Sequence, residues 1–307
     1  MYDLAIIGGG PAGTSAGVYA SRKQLKTIFI TDEWGGQSTV SPDIQNWIGT
    51  PSLSGMQLAK DLENHLRTYA DDIVTIKEKT SATQVHNTDT GFEISLHDDT
   101  TVSAHAVLIA TGSHRRRLTV PGADALEHKG LTYCATCDGP LFSGQDVAVI
   151  GGGNAGFETA AQLLAYCKSV TLLHRGEHYK ADPVTVEKVL SAPNMSGILQ
   201  AETTAVLGDT FLNGLKYTVG DDPTEQELKV GGVFVEIGMV PNTAMVADVV
   251  ERDDYQRIVI DPWTQQTSVP GIWAAGDCTN IKYHQNNISA GDAVRALEDI
   301  FVHLRAK

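Results

Sequence analysis

Two cysteines spaced as Cys134-Ala135-Thr136-Cys137, followed by Asp138-Gly139-Pro140, are the residues best suited by type and spacing to do chemistry. Two thiols on so short a loop can form and break a disulfide. Their proximity lowers the pKa of one thiolate, so one thiol attacks while the other resolves or meets an electron donor. Asp138 directly follows the second cysteine and could protonate a leaving thiolate or deprotonate a thiol. An aspartate that serves only the turn before Gly139 would look the same. Half a zinc site also reads C-x-x-C but needs a second pair. Cys167 and Cys278 are isolated, so no metal is expected, and both read as buried apolar side chains.

A thiol pair of this kind needs electrons, and two glycine turns are candidate holders of their carriers. Gly8-Gly9-Gly10-Pro11-Ala12-Gly13 follows an apolar run at residues 4–7, and Gly151-Gly152-Gly153-Asn154-Ala155-Gly156 follows the stretch Asp146-Val147-Ala148-Val149-Ile150. Both match G-x-G-x-x-G. The first glycine permits a tight turn, the second lets the backbone approach a diphosphate, and the third lets helix pack on strand. The diphosphate then sits at a helix N-terminus, where free N–H groups favour negative charge. Helices are predicted over residues 14–22 and 157–166, and second strands over 27–30 and 170–173. The first copy ends at Asp32, 19 residues beyond Gly13, with Glu33 adjacent. An acid there accepts hydrogen bonds from the ribose of FAD. The second copy ends at His174-Arg175. That pair would repel no phosphate, and Arg175 could clasp the 2′-phosphate of NADPH. The first turn is therefore read as an FAD site and the second as an NAD(P)H site, with NADPH preferred and NADH the alternative.

Further along the chain, each unit is followed by short alternating strands, at residues 73–109 and 203–238, with turns at Gly91 and Gly220. Each stretch closes on an apolar strand reaching a glycine, Gly112 or Gly238. The economical fold is α/β with two Rossmann-like dinucleotide-binding domains, joined near residues 114 and 243. The chain has 307 residues, enough for two domains, and a net charge of -14. That charge argues against nucleic acid or an anionic membrane surface as a partner. The apolar run at the start is too short for a signal peptide, and no stretch would cross a membrane, so a cytoplasmic location is expected.

With Gly8 to Gly13, Gly35-Gly36-Gln37, Cys134 to Gly139, Gly151 to Gly156 and Ala274-Ala275-Gly276-Asp277 in order, the chain resembles low-molecular-weight thioredoxin reductases. It is equally similar to the reductase portion of the flavoprotein subunit of alkyl hydroperoxide reductase. The resemblance covers essentially the whole chain. It implies two Rossmann-like domains of the FAD/NAD(P)-binding type, the second inserted into the first. Residues 1–113 and 244–307 would bind FAD, and 114–243 would bind NAD(P)H and carry the thiol pair. It also implies a homodimer, and a rotation of the inserted domain about residues 114 and 243. Gly36 and Gln37 would line the flavin, with Asn46 near it. Thr111-Gly112 would close on the diphosphate side, Asp277 after Gly276 would bond the ribityl or diphosphate, and Gln285 would approach the pyrimidine end. Cys137 would face the flavin, Cys134 would exchange with the partner, and Asp138 would move the proton.

Two departures from that pattern stand out. Thioredoxin reductases carry two consecutive arginines after the histidine, whereas here Gly176 follows Arg175 and Lys180 takes the place of a later arginine. The run Gln285-Asn286-Asn287-Ile288 is more polar than the usual apolar stretch beside the flavin. The expected partner is a thioredoxin- or glutaredoxin-like protein. Leu141-Phe142 is either a docking contact for it or a turn packed in the core. The alternatives are the reductase of a peroxidase system, a ferredoxin-dependent thioredoxin reductase, and a non-catalytic flavin-binding interaction protein. The N-terminal thioredoxin-like portion of the peroxide-reducing relatives is read as absent.

Overall fold

The computed structural model describes residues 1–41 and 43–305; Pro42, Ala306, Lys307 and the side chains of Thr136 and Cys137 lie outside the described residues. The chain divides into two units, Met1–His114 with Val240–Lys307, and Arg115–Met239. It passes between them through Ser113–Arg115 and Met239–Pro241, which pair with each other.

In the first unit, side chains alternate across the strand Tyr2–Ile7, so Leu4 and Ile6 join one core and Ala5 and Ile7 the other. A strand apolar on both faces belongs in the middle of a covered parallel sheet. Its parallel neighbours are Thr27–Thr31 and Thr101–Ile109, and Val74–Glu78 extends the sheet beyond Thr27–Thr31. The far edge of Thr101–Ile109 is shared. Its first half pairs with the antiparallel hairpin Ala82–Thr88 and Gly91–Leu96, its last residues with the parallel strand Ile272–Ala274. Helices Pro11–Arg22, Gly55–Ala70 and Asn286–Arg305 cover one face, through Ala16, Leu66, Leu297 and Ile300 among others. The opposite core is closed by Val246, Val250, Ile258 and Ile260.

The second unit repeats the plan. A parallel sheet runs Met195–Leu199, Ser169–His174, Asp146–Ile150, Gly232–Val235, Leu131–Thr132. Helices Asn154–Leu163 and Pro183–Leu190 contribute Phe157, Ala160, Leu163 and Val189 to one core. An antiparallel sheet of Ala201–Gly208, Leu212–Val219 and Asp222–Leu228 covers the other side. Its last strand is an edge, which is why it tolerates Pro223, and its exposed Glu225 and Glu227 discourage pairing with another chain.

Both first helices start three residues earlier than the sequence pattern predicts, at Pro11 and Asn154. Proline suits a first helical turn, whose N–H has no partner to lose. The stretch beginning at residue 73 is also not uniformly alternating, because Val74–Glu78 is a parallel strand of the main sheet.

Candidate functional site

The two glycine turns are built alike. Gly8 has φ +124°, and a Cβ there would stand 2.2 Å from Ala110 O; Gly151 has φ +129°, and its Cβ would stand 2.1 Å from Glu236 O. A Cβ on Gly13 would meet Gly8 O at 1.8 Å, and one on Gly156 would meet Gly151 O at 1.9 Å. These four glycines are needed for the fold itself. Gly10 and Gly153 are not: nothing lies within 4 Å of where either Cβ would be. Each is the N-cap of its helix, with no side-chain hydrogen bond at the cap. Open approach at the middle glycine, beside a helix start with no capping side chain, fits a nucleotide diphosphate.

Both strand ends fold back onto their turns. Gly35 N–H donates to Gly9 O at 2.8 Å, which keeps exposed Asp32 and Glu33 beside the first turn. Lys180 N–H donates to Gly152 O at 2.7 Å, and Asp182 N–H to Asn154 Oδ1 at 2.9 Å. His174 is buried with both ring nitrogens engaged. Its Nδ1 accepts from Gly152 N–H at 3.2 Å, and its Nε2 donates to His178 O at 3.0 Å. Burial holds its pKa below the ordinary histidine value, with Lys180 and Arg175 adding to the effect. Arg175 and Lys180 themselves are exposed. A Cβ on Gly176 would stand 2.8 Å from His174 Nε2, so the second arginine of the thioredoxin reductase pattern would require that ring to move.

Two of the flavin-side candidates, Gly36 and Gly276, lie against the first turn. A Cβ on Gly36 would lie 3.7 Å from Gly10 Cα, and one on Gly276 would lie 3.4 Å from Ala12 Cβ. Gly112, with φ +63°, faces open space. The Gln37 amide donates to Ser113 O, and Asn46 Nδ2 donates to Gln285 Oε1 at 3.0 Å. Asp277 Oδ1 accepts from Ser289 Oγ at 3.3 Å and lies 3.4 Å from the His284 ring, whose pKa it raises. Asn242, which the sequence pattern did not mark, ties this region together. Its Nδ2 donates to Thr111 O at 2.9 Å, its O accepts from Thr111 Oγ1 at 2.6 Å, and its N–H donates to Gly112 O at 3.0 Å.

Cys134 is disulfide-bonded and precedes the helical turn Ala135–Asp138; the Cys137 side chain falls outside the described residues. Cys134 N–H donates to Thr132 Oγ1 at 3.3 Å, and that hydroxyl donates to Asp138 Oδ2. Thr132 therefore aims the carboxylate and the cysteine backbone together, a role no local spacing signals. Leu141 is 70% exposed, whereas Phe142 packs edge-on against Phe234 at 5.3 Å, so the packed-turn reading fits Phe142 alone. Cys167 and Cys278 are free and buried, and burial pushes the Cys278 thiol up to about 11. Among the described residues no group of three or more His, Cys, Asp or Glu could hold a metal ion.

Glu236 is a second residue the pattern did not mark. Its carboxylate accepts from Thr159 Oγ1 at 2.9 Å and lies 3.7 Å from Arg115. Burial raises its pKa despite both contacts. Below about pH 4.3, the usual carboxyl value, both folded and unfolded chains are protonated. As pH rises toward the higher folded value the unfolded chain ionises first, so stability falls across that window. Glu236→Gln keeps the acceptor for Thr159. It is expected to flatten this decline and raise the melting midpoint at neutral pH, measured by thermal melts across the range.

A family model described as pyridine nucleotide-disulphide oxidoreductase matches residues 2–291. Over 303 residues the chain is 38% identical to a Bacillus subtilis protein named NADH dehydrogenase, covering 99% of this chain and 58% of that one. It is also 38% identical over 303 residues to an alkyl hydroperoxide reductase subunit of Staphylococcus epidermidis, covering 99% and 59%. The chain thus spans less than two thirds of the length of the curated relatives it matches. The thioredoxin reductase structure from Streptococcus pyogenes superposes with a TM-score of 0.87 at 30% identity, over 100% of this chain and 99% of that one. The thioredoxin reductase structure from Giardia duodenalis gives 0.89 at 29%, over 99% and 98%. The fold is accordingly α/β, with Rossmann-type domains of the FAD/NAD(P)-binding kind. No helix among the described residues is long and apolar enough to cross a membrane.

Proposed function

Because the chain belongs to the pyridine nucleotide-disulphide oxidoreductase family, we propose that it passes electrons from NAD(P)H through FAD to the Cys134–Cys137 pair, and on to a thioredoxin- or glutaredoxin-like protein disulfide. The observation that carries this reading is the pair of matched glycine turns, each open only at its middle glycine, in one chain with a thiol loop. Residues 1–113 and 244–307 form the FAD-binding domain and 114–243 the NAD(P)H-binding domain. The enzyme is a cytoplasmic homodimer. Gly8, Gly10, Pro11, Ala12 and Gly13 receive the FAD diphosphate, with Asp32 or Glu33 on the ribose. Gly36, Gln37, Asn46, Thr111, Gly112, Gly276, Asp277 and Gln285 surround the rest. Gly151, Gly153, Asn154 and Gly156 receive the nicotinamide dinucleotide, and His174 holds their turn. A bound flavin supplies the two-electron relay between nicotinamide and disulfide.

The protein's own chemistry is thiol exchange. Cys134, as thiolate, attacks the partner's disulfide, forming a mixed disulfide and releasing one partner thiolate. Cys137 then attacks Cys134 Sγ, re-forming the internal disulfide and releasing the second partner thiolate. Asp138, oriented by Thr132, exchanges the accompanying protons.

Anaerobic titration of the flavin-loaded protein with NADPH, NADH or reduced ferredoxin, followed by flavin bleaching, tests the reading; no bleaching by either nicotinamide would sink it. Arg175 and Lys180 on the rim of the second turn favour NADPH. Removing either cation should raise KM for NADPH about 10-fold, the worth of one charge-assisted contact, and leave KM for NADH unchanged. Equal effects on both cofactors would remove the 2′-phosphate role. The Staphylococcus epidermidis relative's name favours a second reading, in which the electrons go to a peroxidase system. Peroxide-dependent oxidation of NAD(P)H with a thiol peroxidase, set beside reduction of a thioredoxin-like protein, separates the two.

A further inference from the structure

The polar run at residues 285–287 has partners. Asn287 Nδ2 donates to Asn46 O at 2.7 Å, while its Oδ1 accepts from Ile48 N–H at 3.3 Å. One amide so meets a carbonyl and an N–H of the same segment, much as a neighbouring strand would, and only one orientation of the amide satisfies both. Asn286 Oδ1 accepts from Ser38 Oγ at 2.9 Å, and Gln285 Oε1 accepts from Asn46 Nδ2 at 3.0 Å. The two asparagines open the helix Asn286–Arg305, whose Ala293, Ala296, Leu297 and Ile300 are fully buried in the first unit's core. The anchor is therefore rigid.

The segment it holds also rests on the helix Gly55–Ala70, where Ile44 packs with Leu58 and Leu62 and Ser41 O accepts from Gly55 N–H at 2.9 Å, so the asparagine bonds are its second attachment. Residues 36 and 37 lie between the first glycine turn and the Ser38 tether, and Asn46 carries two of the tethers itself. The same helix start reaches the turn from the other side, because a Cβ on Gly276 would stand 3.2 Å from Ser289 Oγ and 3.4 Å from Ala12 Cβ. An apolar pair at 286 and 287 could make none of the three asparagine bonds.

We propose that Asn286 and Asn287 are positioning residues that clasp Ser38, Asn46 and Ile48, hold Gly36 and Gln37 beside the first glycine turn, and thereby slow release of the flavin. This rests on the reading that the first turn holds FAD. Release is followed as the recovery of free-flavin fluorescence after dilution of the loaded protein. Replacing both asparagines with alanine should speed release on the order of 10-fold, as expected for loss of several modest hydrogen bonds. Ser38→Ala should match Asn286→Ala and add nothing to it. Asn287→Asp keeps the acceptor for Ile48 N–H but sets a carboxylate oxygen against Asn46 O, and should release flavin at least as fast as Asn287→Ala. Melting curves on the same samples establish folding, and Ser38→Ala, which changes no residue of that helix, carries the test if the asparagine variants do not fold. Folded variants with the wild-type release rate overturn the clasp while leaving FAD binding standing. A wild-type chain that takes up no FAD overturns the underlying reading, and the clasp with it.

Discussion

With Cys134→Ser, reduction of the flavin by the nicotinamide should proceed as in the wild type while protein-disulfide turnover falls by on the order of 1000-fold or more, since a hydroxyl does not replace a thiolate in disulfide exchange. The substitution is close to isosteric. The disulfide is lost, but the backbone N–H can still donate to Thr132 Oγ1 and Thr132 to Asp138, so those two hydrogen bonds are kept. Stopped-flow bleaching of the flavin isolates the first half of the reaction, and steady-state reduction of a thioredoxin-like substrate reads the whole. Survival of turnover would move the exchange role away from Cys134. Loss of bleaching as well would mean that the substitution damaged more than the thiol.

The second large effect separates two glycines only three residues apart. Gly13→Ala would place a methyl 1.8 Å from Gly8 O, a backbone atom with no cheap way to move. Destabilisation of about 3 kcal/mol or more follows from overpacking of that kind, seen as a lower melting midpoint and little folded protein. Gly10→Ala adds the same methyl to open space, at φ -78°, which any residue adopts. The melting midpoint of the flavin-free protein should stay at the wild-type value. FAD affinity should fall on the order of 100-fold, because the methyl occupies the approach to the backbone N–H groups that would meet the diphosphate. The reverse pattern, with Gly10→Ala unfolding the chain and keeping its flavin, would mean that the open space has nothing to do with a ligand.

The two glycine turns and the thiol loop were legible because they are written locally. A thiol pair needs two cysteines a fixed step apart, and a phosphate turn needs glycines at three fixed positions after an apolar strand. The apolar run of Leu4, Ala5, Ile6 and Ile7 likewise announced a strand covered on both faces. What escaped was everything that depends on residues brought together from far along the chain. Ser38 meets Asn286, and Asn46 meets both Gln285 and Asn287, with no spacing to record it. Thr132 meets Asp138 through a hydroxyl that no local motif marks. Glu236 follows an apolar strand, where only the fold shows that its carboxylate is enclosed. The helix starts differ for another reason: the last glycine of each turn, Gly13 or Gly156, already lies inside its helix although glycine has little helical preference.

The two buried cysteines give the molecule an internal clock. Cys278 lies in the core of the first unit, 0% exposed, and Cys167 in that of the second, 6% exposed, both reduced. Neither can react with a thiol-modifying reagent until the structure around it opens. Each unit thus carries one built-in timer, and the labelling half-life of each cysteine measures how often its own unit breathes, with no foreign probe introduced.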